Sequence, residues 1–168
     1  MQMYDSARWP LIPKGTRAAL GHDGEYAAPA DAPHKLQLIE HRWITVFADY
    51  RNCSIQDVLE QQWVTPGMVR GFVRGRRGLG MDAIEYVDRA QAAEAVAMLR
   101  DWGDGHLLAY PGLKWWIATF PDRYDSPEDL AAELADKWGA PEITADRLWA
   151  NQHTDHGTYD QSTLYGAF

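Results

Sequence analysis

Cysteine is nearly missing from this chain. Cys53 stands alone, so no internal disulfide forms and no cysteine-built metal site is available. Positive charge is short as well: 16 Lys and Arg stand against 24 Asp and Glu, a net charge of −8. A nucleic-acid partner, whose phosphates draw on clustered Lys and Arg, is not expected of such a chain. The one basic cluster, "RGFVRGRRG" from Arg70 to Gly78, reads as the solvated face and cationic last turn of a helix. No apolar run approaches the roughly 20 residues that span a bilayer, so no membrane span is expected. The opening "MQMYDSARWP" lacks a cationic start followed by an apolar stretch, so no signal peptide is expected either. Localisation stays open: work at a cell wall would need delivery by another system.

Several catalytic patterns are also missing. There is no G-x-S-x-G, and Cys53 has no recognisable partner pattern, so a Ser or Cys nucleophile finds no support. The glycines of "GRRGLGMD" do not open a helix after a strand, which argues against a dinucleotide or phosphate loop. "HTDH", from His153 to His156, offers two imidazoles and an Asp but no third ligand, so no metal and no cofactor are expected.

What the chain does have is aromatic weight, with eight Trp and eight Tyr in 168 residues. Such side chains build cores, and they also stack on planar or sugar-ring faces. The length fits a single domain over residues 1–168, and no linker, repeat or low-complexity stretch divides it.

Short β-type runs recur at fairly regular spacing. They are "MQMYDS", "RAALGHDG" (Arg17 to Gly24), "RWITVFADY" (Arg42 to Tyr50) and "CSIQDV" (Cys53 to Val58). "DAIEYV" (Asp82 to Val87), "LKWWIATF" (Leu113 to Phe120) and "RLWANQH" (Arg147 to His153) follow. Helices are expected from Thr65-Pro66 to the glycines at 78 and 80, over Arg89 to Gly103, and from Ser126 to Gly139. Strand–helix alternation in the second half implies parallel β/α units. The first half has short Pro-rich connections, "ARWPLIPKGT" and "APADAPHKLQLIE". A (β/α)8 barrel typically runs to ~250 residues, so the expected fold is α/β, a small TIM-type barrel with several helices reduced to loops.

In parallel β/α folds, chemistry gathers at the C-terminal ends of strands. Asp5, Asp23, Asp49, Asp57, Glu60, Asp88, Asp155 and Asp160 fall there, with Trp116, Trp149, Tyr86 and Tyr159 close by in sequence. Each Asp alone is equally at home in a turn or helix cap, and each aromatic in a core. Carboxylates gathered into one mouth push one another's pKa values apart, the division of labour that glycosidases use.

"MYDS", "GHDG", "ITVFA", "TPGMVRGFVRGRRGLGMDAIEYV", "KWWIATF" and the closing "LWANQHTDHGTYDQSTLYG" occur in an order that resembles the glycoside hydrolase family 25-like group. These are lysozyme-type barrels of actinobacterial and phage proteins directed at peptidoglycan. The resemblance runs from Tyr4 to Gly166. It implies Asp5 as the first-strand Asp, Asp160 as the late Asp, and Gln152 on the strand before it. With "TP" held in place, Glu60 takes the place of the general acid and Val58 that of its partner Asp; with Asp57 held in place, Leu59 stands at the Glu position and Glu60 one residue on. Gln152 and, from the strand-end set, Asp23, Tyr86 and Trp116 are the expected substrate contacts. Two positions depart from the group's pattern: "DVLE" stands where relatives read Asp-x-Glu, and Thr119 stands where relatives often carry Asp. Two readings remain open. One is a muramidase-like hydrolase of bacterial cell-wall glycan. The other is a non-catalytic module that binds wall glycan or is built into a phage virion or tail beside other virion or lysis proteins.

Overall fold

The computed structural model describes residues 2–6, 19–22, 35–39, 55–57, 65–100, 106–157 and 159–165. At 5–6, 19–22, 35–39 and 56–57 it describes the backbone course alone. The chain is α/β. Its strands are β1 (Gln2–Ser6), β2 (Ala19–His22), β3 (Lys35–Ile39), β4 (Ile55–Asp57), β5 (Ala83–Asp88), β6 (Leu113–Ala118), β7 (Leu148–Asp155) and β8 (Asp160–Leu164). Each strand pairs with the next, and β8 pairs back to β1, so the sheet closes on itself. The pairings from β1 through β7 are parallel. β8 alone runs the other way, antiparallel to both β7 and β1.

Three helices follow β4, β5 and β6, and each begins where local chemistry can satisfy its first amides. In α1 (Pro66–Gly78), the Thr65 hydroxyl accepts from the Met68 N–H at 3.3 Å and Pro66 opens the first turn. Its cationic last turn bends inward at Arg76, whose Nε donates to the Asp82 carbonyl at 2.7 Å. Asp88 caps a 3-10 turn at Arg89–Gln91 through the Ala90 N–H at 2.8 Å, and α2 (Ala92–Arg100) continues from it. The Ser126 hydroxyl accepts from Glu128 and Asp129 at the start of α3 (Pro127–Trp138). Gly139 ends α3 in the left-handed region, φ 67°, where a side chain is disfavoured.

Alternation along the strands separates two apolar layers. Ile84 and Tyr86 on β5 and Trp116 and Ala118 on β6 join Met3, Ile55 and Leu164 inside the barrel. Ala83, Val87, Trp115 and Ile117 turn outward to meet Val69, Phe72, Leu99 and Leu130 of the helices. Neighbouring Trp115 and Trp116 are thus both fully buried, on opposite faces of one strand. Fully burying a side chain of this kind is worth roughly 1.5–3 kcal/mol, so the outer layer holds the helices far more strongly than their short lengths could alone.

Two expectations need correcting. The third strand lies at Lys35–Ile39, within a segment read as a Pro-rich connection; the expected run from Arg42 to Tyr50 lies outside the described residues. β8 was not expected as a strand. Its residues, Asp-Gln-Ser-Thr-Leu, carry almost no apolar signal, and they are held in the wall by backbone pairing on both sides.

Candidate functional site

Because β8 runs opposite to its neighbours, its first residue reaches the same rim as the C-terminal ends of the parallel strands. Asp160 therefore stands opposite Asp5 of β1 on one side and Asp155 of β7 on the other. Asp57, the last residue of β4, stands opposite Tyr86, and Tyr86 opposite Trp116. Ala118 stands opposite Gln152, and Gln152 opposite Ser162. Residues 155 positions apart are thus backbone neighbours through the closure of the sheet. Glu60 and Asp23 lie outside the described residues.

A hydrogen-bonded string crosses the inside of this rim. The Tyr86 hydroxyl donates to Gln152 Oε1, and Gln152 Nε2 donates to Asp160 Oδ2 at 3.2 Å. The amide is oriented by this pair of partners, one a hydroxyl donor and the other a carboxylate that, when ionised, can only accept. Gln152 is buried, so its amide acts as a fixed support for the half-exposed carboxylate. Below it the Trp116 indole donates to Ser162 Oγ at 3.1 Å, and its ring lies 4.3 Å from that of Tyr86.

Trp116 is fully buried and Tyr86 is 8% exposed. Both were expected as sugar contacts, and Trp116 is instead a packing residue of the barrel interior. It was drawn inward because alternation on β6 puts Trp115 and Trp116 on opposite faces and both faces are covered.

Register shifts on β7 shape the rim further. β7 slips against β6 at Trp149, and slips again against β8 at His153. Each slip sets an extra residue into β7, the arrangement of a β-bulge, which re-aims the side chains beyond it. His153 is buried, with its ring nitrogens 2.8 Å from Thr154 Oγ1 and 3.2 Å from Thr163 Oγ1. Burial, with Arg123 adding to it, holds its pKa below the ordinary imidazole value. His156 stacks on Tyr159 at 4.6 Å, and Tyr159 in turn meets Tyr4 edge-on at 5.7 Å. The two histidines of "HTDH" therefore have separate partners. Among the described residues no group of three or more His, Cys, Asp or Glu is gathered in metal-binding fashion.

Beside the rim, the connection from β6 to α3 is tied down by a polar network that sequence reading missed. Thr119 is fully buried; its N–H donates to the Gln152 carbonyl at 2.8 Å and its hydroxyl to the Asp122 carbonyl. Asn151 Nδ2 reaches Thr119 Oγ1 at 2.5 Å, and Asn151 Oδ1 accepts from the Tyr124 N–H at 3.0 Å. Arg89 donates to Asp122 Oδ2 at 2.5 Å, sits 3.7 Å from Glu133, and lies over the Trp138 ring at 5.4 Å. Glu133 accepts from the Tyr124 hydroxyl, from Trp138 Nε1 at 3.3 Å and from Lys137 at 3.4 Å. The Tyr124 bond, offset in part by burial, keeps the Glu133 carboxyl below its ordinary range. Burial and that same bond push the Tyr124 hydroxyl up to about 12. The Thr119 hydroxyl is thus committed to the turn, a role an ionised Asp at this position could not fill, since it cannot donate to the Asp122 carbonyl.

No family model, curated protein or solved structure matches this chain. Its site is therefore read from its own geometry. No helix among the described residues is long and apolar enough to cross a membrane. Chemically, the rim offers one carboxylate set by a buried amide, two further Asp backbones in register around it, and apolar packing beneath. Such an end can hold hydroxyl-rich ligands by hydrogen bonds and can supply acid–base groups to a bond lying across it.

Proposed function

We propose that this chain is a peptidoglycan-directed barrel of the glycoside hydrolase family 25-like kind, a small TIM-type barrel with most of its early helices reduced to loops. The observation that carries the reading is the meeting of Asp160 with Asp5 across β8 and β1, with Asp160 held by Gln152 at the strand-end rim. Asp57 joins the same rim at the end of β4. In this reading Glu60 protonates the leaving glycosidic oxygen. Asp57 or Asp160 stabilises the positive charge that develops on the sugar ring or orients the sugar's acetamido group, and Asp5 tunes the acid.

A second reading, a wall-glycan-binding or virion module without hydrolysis, is favoured by two observations. In the sequence, Glu60 follows Asp57 by three residues, where the resembled Asp-x-Glu motif has two. Thr119 also occupies an expected Asp position and spends its hydroxyl inside a turn.

The deciding experiment measures turbidity loss, sugar release and sedimentable binding on actinobacterial cell walls for wild type, Glu60→Gln and Asp160→Asn. Hydrolysis predicts release by wild type and its loss in Glu60→Gln with folding unchanged. Binding without release supports the module. A wild-type protein that neither binds nor cleaves wall glycan ends both readings.

A further inference from the structure

Burial removes Trp116 and Tyr86 from the aromatic face expected at the proposed glycan rim. Among the described residues, three large apolar side chains are substantially exposed: Leu79, Met81 and Phe120. Leu79 and Met81 follow α1 and precede β5, at the opposite end of the strands. Phe120 lies two residues past the last residue of β6, at the end where Asp160 and Gln152 lie, and is 37% exposed.

The backbone that carries Phe120 is tied down by hydrogen bonds on both sides of it. Phe120 is the second residue of a turn closed by the Asp122 N–H on the Thr119 carbonyl at 2.8 Å. The turn is fastened to β7 through the Thr119 N–H on the Gln152 carbonyl at 2.8 Å, so Phe120 is one residue from a direct backbone link to the Asp160 support. Arg89 clamps it from the other side, reaching the Phe120 carbonyl at 3.5 Å and the Asp122 carboxylate at 2.5 Å. Buried Asn151 braces Thr119 from beneath. Because the turn beneath the Phe120 ring is anchored, settling a flat ligand on this ring requires little further ordering of the backbone.

We infer that Phe120 is the stacking platform for a sugar ring at this rim, the ligand class being a chain of β-linked N-acetylated hexosamines. This rests on the proposed function and adds to it the residue that recognises the sugar. One face of such a pyranose carries axial C–H bonds of slight positive charge, which lie favourably on the negative face of an aromatic ring. Phe has no hydroxyl to bond a specific partner, so its contribution is stacking and shape. The polar selection falls to Asp160 and its neighbours.

The test is sedimentation of the full chain with insoluble peptidoglycan, competed with soluble N-acetylglucosamine oligomers, for wild type, Phe120→Ala, Phe120→Leu and Phe120→Trp. Thermal melting accompanies each variant. Phe120→Ala and Phe120→Leu should bind about five- to ten-fold more weakly, the loss expected of one stacked ring. Phe120→Trp should bind at least as well as wild type. Melting should change little, because the ring is partly exposed and its turn is held by other residues. Phe120→Leu keeps apolar bulk and removes the flat face, so wild-type binding by that variant overturns the stacking role. Equal binding by wild type and Phe120→Ala likewise overturns this inference and leaves the proposed function standing. Absence of binding by wild type overturns this inference, and absence of sugar release as well overturns the proposed function.

Discussion

Replacing Asn151 with Ala should destabilise this protein well beyond what its small volume change suggests. The side chain is fully buried and makes three contacts: Oδ1 accepts from the Tyr124 N–H at 3.0 Å, and Nδ2 points to Thr119 Oγ1 at 2.5 Å and to the Ile117 carbonyl at 3.4 Å. The last is long enough to contribute little. Thr119 keeps its bond to the Asp122 carbonyl, so its loss is partial. The Tyr124 amide is the main casualty, since a part-buried donor left unmade costs about 1–3 kcal/mol. Adding the lost neutral bond to Thr119, about 0.5–1.5 kcal/mol, gives a total near 2–4 kcal/mol. For a domain of this size that corresponds to a fall in Tm of about 4–16 °C. Asn151→Asp should be at least as costly, because it buries a charge and turns a donor into an acceptor facing the Ile117 carbonyl. The assay is urea unfolding with unchanged m-value, run as a double-mutant cycle with Thr119→Val to isolate the shared bond. A cost for Asn151→Ala below about 0.5 kcal/mol, the range of ordinary surface changes, would refute the claim that this amide pins the β6–α3 connection.

The Glu133–Tyr124 pair should leave marks at both ends of the pH scale. Glu133 has a folded pKa below its ordinary 4.5, so its stabilisation is complete above that value and is lost as pH falls through the lower folded value. Tyr124 is raised from 10.0 to about 12, so its contribution is complete below pH 10 and is lost as pH rises through about 12. Urea midpoints across pH should therefore flatten at the acid limb in Glu133→Gln and at the alkaline limb in Tyr124→Phe; unchanged limbs would sink the assignment. In the outer core, Phe72 is fully buried on α1, and Phe72→Ala should cost about 3–5 kcal/mol in urea unfolding, with a loss under 1 kcal/mol contradicting its placement between helix and sheet.

Local chemistry made much of the second half legible from the residues alone. Thr65-Pro66 and Ser126-Pro127 announce helix starts because a hydroxyl and a proline suit the first turn and little else, and both caps form as read. Apolar runs such as "KWWIA" give strands covered on both faces, and helices follow β4, β5 and β6 as their 3.6-residue stripes imply. The class, α/β, follows from that alternation. β3 carries an apolar alternation in Leu36, Leu38 and Ile39 but reads as part of the Pro-rich connection around it, whereas β8 is polar and was hidden because strand pairing satisfies backbone groups regardless of side chain. The site depends still more on tertiary structure. Nothing local in "YDQS" says that Asp160 faces Asp5: that meeting arises from an antiparallel last strand closing the sheet, a long-range pairing that no sequence window contains. Nor does any local pattern give the slips at Trp149 and His153, which re-aim β7 so that Gln152 supports Asp160 while Asn151 braces the turn carrying Phe120. Period-2 reading fails at a bulge, because one added residue exchanges the faces of everything after it.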